Sequence, residues 1–204
     1  MTRVLAIAAH PDDELFGGGY LAKLAAEGSE LHLLVTTRGD GGEVGEPPLC
    51  TKDRLGELRE QEQRRAAAAL GAADVYFLDF VDPHMEIDGV AQKIAATPAR
   101  FTTALREYLD RLRPNIIITH GTNGEYGHPQ HIYTHQCVFQ AIRDLAPWQP
   151  EDLLTWCAKD TRNGRDRHTN QGDPATFTLD VTPWFDKKLA AAECHVSQHA
   201  MFRR

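Results

Sequence analysis

Near the start of the chain a histidine and two adjacent carboxylates, His10, Asp12 and Asp13, stand within four residues, broken only by Pro11. An aspartate before a helix often caps it, but capping explains one carboxylate and leaves the histidine, the proline and the second carboxylate without a purpose. Metal binding accounts for the group better. Zinc takes imidazole nitrogen and carboxylate oxygen, and a catalytic zinc keeps three protein ligands and one open position for water. His10 and Asp13, three apart where a loop enters a helix, can reach one ion, which leaves Asp12 free to act on the water. A third ligand has to come from elsewhere in the chain. The segment Gly124-Glu-Tyr-Gly-His-Pro-Gln-His131 offers two histidines across a helix start, with Pro129 suited to its first turn. His131 is the ligand chosen here. His135, four residues on along the same helical face, is the substitute, and is otherwise read as a support behind the ligands or as interior packing.

Elements at distant points of the chain must bring these groups together. Residues 4–9 are a continuous apolar run rich in β-formers that stops at His10, as a buried parallel strand opening onto a loop does. Residues 15–27 carry apolar side chains at helical spacing and close at Gly28. A second buried strand is expected over 31–37, followed by a Gly- and Pro-rich loop over 38–48. Further on, the pattern predicts helices over 55–70, 100–112 and 129–145 and strands over 75–78, 116–119, 153–158 and 177–181, with a last helix from Pro183. This alternation predicts a Rossmann-like three-layer α/β/α fold with a mostly parallel sheet, in a single domain over residues 1–204. Ligands of such sheets bind beyond the carboxyl ends of the strands. His10, Arg38 and the segment 120–131 all emerge at that edge, so Arg38, Asp40 and Glu43 are expected to shape a substrate site.

Composition narrows the partners. A chain of 204 residues with a formal charge of −7 has no basic stripe with which to neutralise phosphates, so nucleic acid is not an expected ligand. No apolar run approaches the roughly 18 residues of a membrane span, and the N-terminal stretch lacks the long apolar core of a signal peptide. A cytoplasmic protein is expected. The four cysteines, Cys50, Cys137, Cys157 and Cys194, contain no C-x-x-C pair and read as reduced, structural thiols. Among the remaining histidines, His32, His84, His120, His168, His195 and His199 have no spacing that singles them out, although His120 falls at a strand end near the crevice.

The segments Ala9-His-Pro-Asp-Asp-Glu14 and Gly127-His-Pro-Gln-His131 closely resemble the LmbE-like (PIG-L) family of metal-dependent N-deacetylases. That family includes N-acetylglucosaminyl-phosphatidylinositol deacetylases and enzymes that deacetylate sugar precursors of mycothiol and bacillithiol. The resemblance extends to a helix with R-x-x-E over 59–71 and to K-x-x-A with H-x-S-Q over 188–198. It implies an LmbE-like fold and hydrolysis of the acetamide of an N-acetylglucosamine-type sugar or conjugate. One Zn2+ per chain, or another divalent ion in its place, would be held by His10, Asp13 and His131, with Asp12 as general base. His128 would stabilise the oxyanion or protonate the departing amine, Tyr126 would assist over the site, and Arg59 would contact the substrate. Self-assembly into a homo-oligomer is common among such relatives. The chemistry agrees with these roles: an amide is a poor electrophile and needs a Lewis acid, an acidified water and a proton donor for its amine.

One residue departs from the family's pattern. Gln130 stands where the family usually has Asp, and that Asp is expected beside His128, where a carboxylate would raise the imidazole pKa. Gln130→Asp is therefore expected to move the upper pH limb of activity higher. Three other readings compete. An amidase acting on a thiol-sugar conjugate or another amide would use the same chemistry. A non-catalytic nucleotide-binding domain would need G-x-G-x-x-G after the first strand, where His-Pro-Asp-Asp stands instead. A metal-storage protein would not need the free carboxylate of Asp12.

Overall fold

The computed structural model describes residues 1–84, 86–145, 147–159 and 169–203. Its first unit is strand β1 (Arg3–Ala8), a tight turn over Asp13–Phe16, helix α1 (Gly18–Ala26) and strand β2 (Glu30–Thr37). Helix α2 (Leu55–Leu70), strand β3 (Asp74–Phe80), helix α3 (Pro98–Leu112) and strand β4 (Ile116–Thr119) follow. The series closes with helix α4 (Pro129–Arg143), strand β5 (Asp152–Thr155) and helix α5 (Phe185–Cys194). The five strands form one sheet in the order β3-β2-β1-β4-β5. Every pairing in it is parallel, with Val4 opposite both Leu31 and Ile116.

Why β1 reads as an unbroken apolar run is clear from its two faces. Leu5 and Ile7 pack with Phe101, Leu105 and Leu109 of α3 and with Val138 of α4. Val4, Ala6 and Ala8 pack on the other side with Leu21 of α1, Leu70 of α2 and Ala191 of α5. A parallel strand covered on both faces needs apolar residues at every position. The strand order reverses between β1 and β4, so the loops leaving these two neighbours diverge and open a crevice at their carboxyl ends. His10 follows β1 and His120 follows β4.

Several expectations are refined. The helix predicted over 15–27 is a 3-10 turn followed by α1, with Gly17 between them and Gly19 packed so tightly that a Cβ there would lie 2.6 Å from Val181. The strand expected over 177–181 is not a strand. Phe177, Leu179 and Val181 alternate as a strand would, but this stretch lies against α1 at Gly19 and Tyr20 and finds no strand edge to pair with. The ladder in this region is instead a two-stranded piece, Ala158–Lys159 with Asn170–Pro174. A second small ladder, Glu86–Ile87 with Val90–Ala91, sits between β3 and α3. His168 lies outside the described residues. Among the described residues no helix is long and apolar enough to cross a membrane.

Candidate active site

Both imidazoles expected to bind metal are oriented from behind. The His10 Nε2–H donates to Gln130 Oε1, and the Gln130 amide is itself fixed by donating to Pro83 O at 2.8 Å. That leaves His10 Nδ1 bare. The His131 Nδ1–H donates to Glu125 Oε2 at 2.7 Å, which leaves Nε2 bare. These two bare nitrogens face each other at 3.2 Å, and each lies 3.2 Å from an Asp13 carboxylate oxygen. Two lone pairs and an anion at this separation repel unless positive charge sits among them. A tetrahedral ion with bonds of about 2.0–2.1 Å requires its ligand atoms about 3.3–3.4 Å apart, so the three donors fit a metal of that kind. Burial pushes the His10 pKa down, but Asp13 and Asp82 outweigh it and hold it well above the usual histidine value. The field that favours a proton on His10 equally favours a cation.

Behind this triangle stands a buried support. Glu125 accepts from His131, from His120 Nδ1 at 2.9 Å, from the Gly121 amide at 3.0 Å and from Asn170 Nδ2 at 3.1 Å. It adopts φ 62°, ψ −48° in a short turn over Gly124–Gly127, a conformation that costs energy for a residue with a side chain. Burial would raise its pKa, but the two histidines more than reverse this and keep it ionised. His120 also belongs to a metal-capable group with Asp13 and His131. Its Nε2, however, accepts the Ala9 amide at 2.9 Å, so that lone pair is occupied. His120 is a support, not a ligand. His135 Nδ1 meets the His120 carbonyl at 2.9 Å.

Asp12 stands at the mouth of the crevice with φ 93°, ψ −20°, again the left-handed region. Its Oδ2 accepts from Arg59 Nη2 at 3.0 Å. Burial lifts the Asp12 carboxyl to about 6 against the pull of Arg59. A carboxyl so poised can both take and return a proton near neutral pH. Arg59 was expected to contact substrate. It lines the crevice, is 3% exposed, and also donates to the carbonyls of Gly39 and Pro11, which ties together the loops that carry Asp12.

His128 caps α4: its Nδ1 accepts from the Gln130 amide at 3.3 Å. The accepting role puts the ring proton on Nε2. Burial and the neighbouring imidazoles of His131 and His10 drive its pKa far down, so His128 is a neutral donor and not a protonated acid. It also falls within reach of His10 and His131 as a metal-capable group, but the cap occupies Nδ1. The Tyr126 ring is half exposed at the rim, 5.6 Å from the His128 ring and 5.7 Å from that of His131. Gln130 requires a correction. Its side chain reaches His10 and Pro83, and only its backbone touches His128. The helix start turns position 130 toward β1, so a carboxylate there would act on His10.

Arg38 and Asp40 are not among the residues that line the crevice. The Arg38 guanidinium pairs with Glu60 of α2 at 2.6 Å and with Asp79 of β3, and lies over the Phe77 ring of β3. The crevice, about 140 Å³, holds His10, Asp12, Asp13, Tyr126 and His128. A larger cavity of about 660 Å³ between Tyr20, Trp156 and Phe177 contains none of them. The sequence reading missed Glu125, Asp82 and Asn170. Glu125 lies within the motif segment, but nothing in its spacing distinguishes a buried carboxylate from a surface one.

The profile of the PIG-L family, GlcNAc-PI de-N-acetylase, matches residues 5–142. A 1D-myo-inositol 2-acetamido-2-deoxy-alpha-D-glucopyranoside deacetylase from Thermobifida fusca is 31% identical, over 98% of this chain and 84% of its own. The N,N'-diacetylchitobiose deacetylase from Pyrococcus horikoshii shares the fold with a TM-score of 0.75, at 20% identity over 100% of this chain and 73% of its own. So does the 4-carboxy-2-hydroxymuconate hydratase from Pseudomonas putida, with a TM-score of 0.71 at 22% identity over 100% of this chain and 82% of its own. That last likeness is a reminder that one fold hosts different reactions, so activity has to be argued from the site.

Proposed function

This chain belongs to the PIG-L family of GlcNAc-PI de-N-acetylases, and we propose that it is a zinc-dependent hydrolase that removes the acetyl group from an N-acetylglucosamine-type sugar or sugar conjugate, within one domain over residues 1–204. The observation that carries the reading is the convergence of His10 Nδ1 and His131 Nε2, 3.2 Å apart, on the Asp13 carboxylate, His10 3.2 Å from Oδ2 and His131 3.2 Å from Oδ1, with both imidazole lone pairs turned inward. The relatives' substrates supply the sugar: the Thermobifida fusca protein is named for an acetamido-glucopyranoside of inositol. A zinc ion at the triangle supplies Lewis acidity, polarising the amide carbonyl and acidifying a water.

The remaining work falls to the chain's own residues. Asp12 accepts the proton of the attacking water, for which a carboxyl near 6 is well matched. The His128 Nε2–H donates to the carbonyl oxygen as it gains negative charge, a neutral donor fixed before reaction and therefore costing no reorganisation. Tyr126, at the rim beside His128, adds a hydroxyl to the same side. Asp12 then returns the proton to the departing amine, so that acetate and a free amino sugar leave.

The test is elemental analysis of wild type and His131→Ala, with amine release from N-acetylglucosaminyl-inositol measured on the same preparations. One zinc per chain in the wild type, lost together with activity in the variant, is the expected result. A folded wild type that takes up no divalent metal and releases no amine would overturn the reading.

A further inference from the structure

The strained backbone of Asp12 is held from a distance. Its amide donates to Glu14 Oε2 and to Gln63 Oε1, both at 3.1 Å. Glu14 is fully buried, and its other oxygen accepts from His195 Nε2 at 2.7 Å, from a residue 181 positions later that is also fully buried. The segment carrying His195 is pinned in turn. The Ser197 amide and hydroxyl donate to Glu62 of α2 at 2.9 and 2.7 Å, and Gln198 Nε2 donates to the Glu43 carbonyl at 2.9 Å. None of these residues belongs to the metal triangle.

We propose that His195 and Glu14 are positioning residues that hold Asp12 in its left-handed conformation and thereby aim its carboxylate at the water. A non-glycine residue stays in that region only while its surroundings over-determine it. Without His195, Glu14 Oε1 loses its donor inside the buried site, and the Asp12 amide on Oε2 is left to hold the carboxylate beside Asp12 and Asp13. Glu14 then has reason to turn away, and the Asp12 peptide is released to rotate. The end of the chain acts on the catalytic base, not on the metal. The H-x-S-Q motif thus acquires a purpose: its histidine steadies the base, and its serine and glutamine clamp the histidine's segment to α2 and to the loop after β2.

This inference rests on the deacetylase reading, since only there is Asp12 the base. The experiment compares kcat, KM, zinc content and melting temperature for wild type, His195→Leu and His195→Gln. In His195→Leu, kcat is expected to fall about 10²-fold, the scale of a misplaced reacting group, while KM and zinc content hold. His195→Gln, which keeps a donor for Glu14, is expected to restore much of kcat. Should His195→Leu fail to fold, Glu14→Gln carries the test. A carboxamide has one accepting oxygen, so either Asp12 N–H or His195 Nε2–H must face an amino group, and kcat should again fall at constant zinc. Unchanged kcat in these variants, or a loss of kcat that merely tracks lost zinc, would overturn the inference. A zinc-loaded wild type without activity would overturn the function reading itself and the inference with it.

Discussion

Gln130→Glu places a negative charge where the wild type has a neutral acceptor, on the far nitrogen of His10. A hydrogen bond to a neutral partner contributes about 0.5–1.5 kcal/mol net and one to a charged partner about 1.5–3, so the bond that orients His10 should strengthen by about 1–1.5 kcal/mol. If most of that gain is expressed in the metal-bound state, the dissociation constant falls about tenfold, at the lower end of the usual effect of residues behind metal ligands. Two opposing changes do not enter this figure. Asp82 Oδ1 already lies 3.6 Å from the same nitrogen, so a second carboxylate repels it, and a glutamate cannot donate to Pro83 O as Gln130 does. Both costs are present with and without metal. They cancel from the affinity and appear in the stability of the metal-free protein, which should drop by about 1–3 kcal/mol. Competition with a chromophoric chelator measures the first quantity, and urea denaturation of chelator-treated protein the second. The competition is best run near pH 8, because a more basic His10 also holds protons more tightly. Gln130→Leu removes the acceptor and should weaken metal binding instead. Equal metal affinity in wild type, Gln130→Glu and Gln130→Leu would refute the placement of Gln130 behind His10.

Two further outcomes are expected. In Gly121→Ala, a Cβ would lie 2.0 Å from Asn170 Cγ, and Asn170 is buried and bonded to Glu125 and the Trp156 carbonyl; stability should fall by about 1–3 kcal/mol in urea denaturation, with zinc content falling as Glu125 loses a donor, and a variant as stable as wild type would contradict this packing. Burial opposes a charge on His195, but Glu14 wins and holds its pKa above 6.5, so folding binds a proton more tightly there. The stability from this pair is fully present below about pH 6.5 and is lost as pH rises through the higher folded value. The stability advantage of wild type over His195→Leu should therefore shrink between pH 6 and pH 9, and a growing advantage would contradict the sign.

Much of the fold was legible because periodicity and burial coincide in it. Helix α2 and strand β4 begin and end where the apolar pattern does, residues 55–70 and 116–119. β1 could be read because a strand covered on both faces has to be apolar throughout. The stretch 177–181 misled for the complementary reason: alternation describes which side chains face inward, and says nothing of whether a strand edge is near enough to pair with. His10, Asp12, Asp13, His128 and His131 were visible since their types and spacing sit in short local motifs; the first four line one crevice, and His131 stands 3.2 Å from His10 behind it.

What the chain's order of residues determines, then, is the parallel layered sheet and the list of groups available at its carboxyl edge, because both depend on local pattern. Which group serves which neighbour is decided only in three dimensions. Arg59, expected at the substrate, also clamps Asp12, Arg38 pairs away at α2, Gln130 serves His10 instead of His128, and His195 reaches Glu14 across 181 positions. Each outcome turns on a hydrogen bond a few ångströms long between residues from separate segments of the chain. Such short-range, directional contacts leave no periodicity in the sequence from which they could be read.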